Sequence, residues 1–201
     1  MNGMKVEVTV LVDMLGMTAA DKDIHLKHIA SRSADAEKMA EEDAALPANT
    51  LMEKAMTVFP RDTDGMPIFW DYQLKGFFKE GFKILAELQD GEVKIGKSKL
   101  SKFTAARLVD NYLFCGPRRI RLAPVSGTCT RPLRGWTMQG ERVSLATSEV
   151  VPAGTTFVFE VKWLLPELEK LVRMCLDYGA LKGLGQWRNA GMGRFEWREV
   201  K

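Results

Sequence analysis

The residues best suited to chemistry stand late in the sequence, in GLGQWRNAGMGRFEW, Gly183 to Trp197. Two Gly-x-Gly pairs, Gly183/Gly185 and Gly191/Gly193, bracket Trp187 and Arg188. Glycine lacks a Cβ and admits positive φ, so backbone N–H groups can be brought close to a phosphate oxygen. An indole can stack on a nucleobase, and a guanidinium can fork a phosphate. The bland reading is that the glycines serve only a tight connection between two elements. A dinucleotide fingerprint is excluded by position, because it follows a strand and opens a helix, whereas a helical pattern precedes this segment and an alternating one follows it.

Other candidates are scattered. Lys75 and Gly76 fall in the first turn of an expected helix, where the lysine is either a phosphate contact or a solvated side chain. Arg131, Arg134, Trp136 and Met138 lie in a polar, Gly-punctuated basic stretch, with Trp136 open to stacking or to burial. His25 and His28, the two histidines of the chain, are spaced to share one side of a helix and are candidates for general acid–base work or plain surface residues. Cys115, Cys129 and Cys175 are odd in number and lack CxxC spacing, so neither a disulfide framework nor a zinc site is expected. With no GxSxG, Walker, HExxH or DxDxDG motif, no metal and no cofactor are expected.

These residues need elements to position them. Val6, Val8, Val10 and Val12 alternate with more polar neighbours and predict a first strand. Residues 18–64 are rich in Ala, Asp, Glu and Met without a strong apolar stripe and read as a partly helical insertion, with the helix near SADAEKMAEEDAAL. Leu74, Phe77, Phe78, Phe82, Leu85 and Leu88 recur at threes and fours after Asp71 and predict an amphipathic helix ending before Asp90-Gly91. NYLFCGPRRIRLAP is strand-like but broken at Gly116-Pro117, and residues 124–149 read as an extended basic hairpin. PAGTTFVFEVKWL predicts another strand, in which Phe157, Phe159 and Trp163 form either a buried face or an RNA-binding platform. A helix opened by Pro166 and ended at Gly179 follows, then the glycine segment and a last strand from Arg194 to Val200. The resulting order is βαββαβ, an α+β, ferredoxin-like or RNA-recognition-motif-like core with an antiparallel sheet and two large insertions. One domain over residues 1–201 is expected.

Composition agrees with a folded protein: 201 residues, 46% hydrophobic and 27% charged, with net charge +3. The opening residues lack a signal-peptide pattern and no run approaches a membrane span, so a cytoplasmic protein without membrane contact is expected. Between Lys94 and Arg142 stand eleven Lys/Arg against two acids, Asp110 and Glu141, an asymmetry that suits either a polyanion partner or a solvated face.

Three stretches together, YQLKGFFKE, VVPAGTTFVFEV and GLGQWRNAGMGRF, resemble the RAMP superfamily of CRISPR-associated proteins over Tyr72 to Val200. The resemblance implies a ferredoxin-like subunit that holds single-stranded CRISPR RNA along its backbone. It also implies contacts with other effector subunits or self-association into a filament, with a hairpin thumb inserted between nucleotides. The basic hairpin would be that thumb, with Arg131, Arg134, Trp136 and Met138 near its tip. Lys75, Gly76 and the glycine loop would approach phosphates. Some relatives cut target RNA with an aspartate, but no motif aligns Asp21 or Asp23 with it; others process precursor RNA with a histidine, for which His25 and His28 are the candidates. Two alternatives stand beside this: a metal-independent endoribonuclease using His25 or His28, and, from the short chain and the unmatched segment 18–64, a solitary mobile-element-borne protein acting through protein contacts.

Overall fold

The computed structural model describes residues 2–21, 56–88, 94–95, 98–138 and 140–201. His25, His28, Asp23 and the helix expected near SADAEKMAEEDAAL lie outside them. Strand β1, Asn2–Val10, buries Met4, Val6, Val8 and Val10, as its alternation dictates. Short strands β2, Met14–Leu15, and β3, Thr18–Ala19, follow, then β4, Met56–Val58, and β5, Ile68–Trp70. Helix α1, Asp71–Leu88, buries Leu74, Phe77, Phe78, Phe82 and Leu85. Its first-turn carboxylate, favourable at a helix N-terminus, accepts from the Tyr72 N–H and from Arg118.

Strands β6, Lys94–Ile95, and β7, Ser98–Lys99, pair with each other, and α2, Lys102–Tyr112, leads into β8, Leu113–Gly116. Next come β9, Arg119–Arg121, the hairpin β10, Gly127–Thr137, and β11, Gly140–Val151, then β12, Thr156–Trp163, α3, Leu168–Lys182, and β13, Phe195–Val200.

The main sheet runs β13–β1–β12–β8 with every neighbour antiparallel. With α1 after β1 and α3 after β12, this is the ferredoxin-like βαββαβ arrangement. The inward residues of β12, Phe157, Phe159, Val161 and Trp163, are buried beneath the helices, so these aromatics are core and not a platform. Gly81 lets α1 meet Cys175 of α3, whose Sγ would stand 2.6 Å from a Cβ there. Phe77 of α1 and Phe195 of β13 meet edge to face at 5.7 Å.

A second sheet, β10–β11–β4–β3, with β2 on the other part of β11, carries the hairpin out from the core. Residues on either side of Gly116-Pro117 part company: β8 joins the main sheet and β9 pairs with β5.

One helix was unforeseen in the sequence and the end of another is corrected. Helix α2 is not legible in the pattern, because only Ala105 and Val109 of its residues are buried and no stripe forms. Its start is fixed instead by a capping box, Ser101 with Thr104. Helix α3 does not end at Gly179 but runs to Lys182. Gly179 is an interior glycine seated on the Phe195 ring, 2.0 Å from where a Cβ would stand, and Gly183 is the cap.

Candidate nucleic-acid interface

The loop between α3 and β13 is clasped by its own backbone. At Gly193, φ is +70° and a Cβ would stand 1.9 Å from the Leu184 carbonyl oxygen, while the Leu184 N–H donates to the Gly193 carbonyl at 2.8 Å. A Cβ on Gly185 would be 2.5 Å from the Leu15 carbonyl of β2, which also accepts the Gln186 N–H. The N–H groups of Gly183, Gly191 and Gly193 donate to the carbonyls of Gly179, Arg188 and Asp13. These three therefore do not form a phosphate nest, and the expectation that they would is corrected: their glycines allow backbone to pack on backbone. Gly185 alone of the four donates no hydrogen bond among the described residues.

Trp187 occupies the left-handed region at φ 56°, ψ 33°, a conformation that costs a side-chain-bearing residue about 1–2 kcal/mol. Its indole, 40% exposed, lies over the guanidinium of Arg131, whose central carbon is 5.1 Å from the ring centre. Arg131 is 6% exposed. It donates to Ser148 Oγ and to Gln186 Oε1, each at 2.9 Å, and Thr57 Oγ1 meets the same two atoms at 2.7 and 3.1 Å. Its Nε is buried without a partner among the described residues.

The placement of Arg131 near the hairpin tip is thus corrected. It pairs in register with Ala146, well below the turn where Thr137 faces Gly140. Alternation along β10 directs it to the side that lies against the glycine loop. Arg134, Trp136 and Met138 do stand on the outer half. Arg134 is 3.9 Å from Glu141, and Trp136 is 84% exposed beside the exposed Val143 and Leu145.

Between α1 and the glycine loop runs a groove of about 490 Å³, lined by Met17, Tyr72, Gly76, Glu80, Gly185 and Arg188 among others. Gly76 is exposed inside a helix. Among the described residues no atom beyond its own turn lies within 4 Å of where its Cβ would be, and none gives a packing reason for glycine there. Arg188 NH1 meets Glu80 Oε2 at 2.6 Å, and Lys182 Nζ lies 3.4 Å from Glu80 Oε1 and 3.0 Å from Asn189 Oδ1. Lys75 does not line the groove; its ammonium donates to the Asp110 carbonyl at 3.0 Å and sits over the Phe114 ring.

Much of the basic segment is already compensated. Arg118 pairs with Asp71 at 2.8 Å, Arg121 with Asp62 and Asp64, and Lys102 with Glu87 at 2.6 Å. Of the sequence candidates, the fold brings Gly76, Gly185 and Arg188 to one groove and Arg131 and Trp187 to the adjoining contact, leaving Lys75 and the outer hairpin apart. Glu80 and Gln186 were missed. Glu80 follows Gly76 at the i, i+4 spacing that puts two helical residues on one face, the one signal that could have found it.

Among the described residues no group of three or more His, Cys, Asp or Glu could hold a metal ion, and no helix is long and apolar enough to cross a membrane.

No family model matches the chain, and no curated protein does. Solved structures do. The chain is similar to one in the cryo-EM structure of the type III-B Cmr-β complex bound to cognate target RNA, with TM-score 0.54 and 11% identity, over 99% of this chain and 59% of that one. It is also similar to a chain of a type IV-B CRISPR complex, with TM-score 0.49 and 10% identity, over 99% of this chain and 90% of that one. The chain thus spans 59% of the length of the Cmr-β complex chain, and what the two share is the fold.

Proposed function

We propose that this is an RNA-binding, CRISPR-associated protein of RAMP type, a backbone-like subunit that holds single-stranded CRISPR RNA by its phosphates and not by its base edges. The observation that carries the reading is Gly76. A helix-interior glycine costs about 0.5–1 kcal/mol relative to alanine, and here no packing among the described residues offsets that cost. It lines the groove opposite Gly185 and Arg188, where a nucleic-acid backbone can pass close to the helix. The fold shared with a chain from an RNA-bound CRISPR complex supports the same reading.

The test uses Gly76→Ala and Gly76→Gln with a labelled single-stranded RNA. Alanine raises stability by about 0.5–1 kcal/mol, and glutamine, which reaches into the groove, weakens RNA binding several-fold while the fold is retained. Tight RNA binding by both variants would count against the groove.

The outer hairpin supports contacts with other effector subunits or with further copies of the chain. Trp136, Val143 and Leu145 are exposed there beside Arg134. A protein that works by such contacts alone would join its complex without RNA, and co-purification after nuclease treatment separates the two readings.

A further inference from the structure

The ion pair at the groove has a consequence for how RNA would enter it. Glu80 stands one helical turn from Gly76 and receives two cations, Arg188 at 2.6 Å and Lys182 at 3.4 Å. All three side chains are roughly one-quarter to one-third exposed, so the trio is partly withdrawn from water and less screened than a surface pair. Among the described residues, Glu80 is the carboxylate paired with Arg188. Glu80 lines the same groove as Gly76 and Arg188, so a phosphate passing over Gly76 runs beside its negative charge.

We infer that Glu80 is an internal anion occupying a phosphodiester seat formed by Arg188 and Lys182, and that single-stranded RNA binds by displacing it. This rests on the RNA-binding reading above. A carboxylate and a phosphodiester carry the same single charge and both accept from a guanidinium fork, so the exchange leaves the seat neutralised to the same degree. RNA brings several linked phosphates, and its contacts at neighbouring positions offset the lost Glu80 pair. An isolated phosphate or a mononucleotide lacks those contacts. Glu80 therefore makes the site selective for a polymer, and Arg188 becomes a phosphate ligand only once Glu80 is released.

The experiment measures binding of a fluorescently labelled, mixed-sequence single-stranded RNA to the full chain, its Glu80→Gln variant and the Glu80→Gln/Arg188→Ala double variant across a salt series. Glu80→Gln is expected to tighten binding roughly five-fold, the ceiling for a partly exposed pair. Its salt slope should stay that of the unaltered chain, because Arg188 and Lys182 meet phosphate in both complexes. The gain disappears in the double variant. Inorganic phosphate and AMP compete with RNA on Glu80→Gln but not on the unaltered chain.

Unchanged or weaker binding by Glu80→Gln, at an unchanged melting temperature, would overturn the proposal while leaving RNA binding intact. No binding by any variant removes the RNA reading and the displacement with it. Glu80→Ser removes the same charge in a smaller side chain and decides the matter should Glu80→Gln fold poorly.

Discussion

Arg131 holds its guanidinium 5.1 Å from the centre of the Trp187 ring, and this contact joins the β10–β11 hairpin to the glycine loop. The same guanidinium bonds Ser148 of β11 and Gln186 of the loop. One buried side chain therefore sets both where the hairpin leaves the body and how the indole is held in its left-handed conformation.

Arg131→Ala is expected to cost about 1–3 kcal/mol, from charged hydrogen bonds and the ring contact together, as read in urea unfolding. Arg131→Lys restores little of it, since an ammonium cannot fork two acceptors while lying flat under a ring. Because Arg131 is buried, its loss weakens RNA binding without changing the salt slope. Arg134→Ala, on the exposed outer hairpin, flattens that slope by about 0.7. A flatter slope in Arg131→Ala would show that Arg131 touches phosphate directly.

Gly193→Ala should be among the most damaging single changes in the molecule. The new Cβ meets the Leu184 carbonyl at 1.9 Å at a φ of +70°. Strain and overpacking together cost about 3 kcal/mol or more. Gly65 has a similar φ, +77°, but open space around it, and alanine there costs only about 1 kcal/mol. Chemical denaturation of the two variants side by side checks the contrast.

Burial pushes the Cys115 thiol from 9.0 up to about 12 and raises that of Cys175 further. In the unfolded chain these thiols ionise near their ordinary value, so above about pH 9 the folded state holds more protons and stability falls as pH rises toward 12. Cys175 is fully buried. At pH 8 a thiol reagent should spare Cys175 in the native protein and modify all three cysteines after denaturation.

Trp136→Ala should leave stability within about 0.5 kcal/mol, as expected for an exposed side chain. If the indole stacks on RNA, the same change weakens binding by about 1–3 kcal/mol. Unchanged RNA affinity, together with loss of co-purifying protein, would assign the hairpin face to a protein partner.

The core was legible where local pattern and burial coincide. The alternation of Val6, Val8 and Val10 and the three-and-four spacing of Leu74, Phe77, Phe78 and Phe82 report the face each element turns inward. Helix α2 was hidden because its burial is confined to two small residues and its start is fixed by a cap. At the site, glycine spacing announced close approach but not of what. Gly185 approaches Leu15 of β2, a partner far away in sequence that no local pattern encodes. Arg131 misled for the opposite reason: a charged residue in a polar hairpin reads as exposed, and only the register with Ala146 and the lie of the loop bury it. The charge asymmetry overstated the free positive surface, because Asp62, Asp64, Asp71 and Glu87 from outside the basic stretch neutralise part of it.

The most direct test of phosphate-backbone binding is the affinity for single-stranded RNAs of unrelated sequence, measured across a salt series with the unaltered chain and Arg188→Ala. Phosphate-backbone binding predicts a linear fall of log K with log salt, the same for each sequence, and a slope shallower by about 0.7 in Arg188→Ala. Affinity that varies with sequence but not with salt, or no binding at low salt, would contradict it.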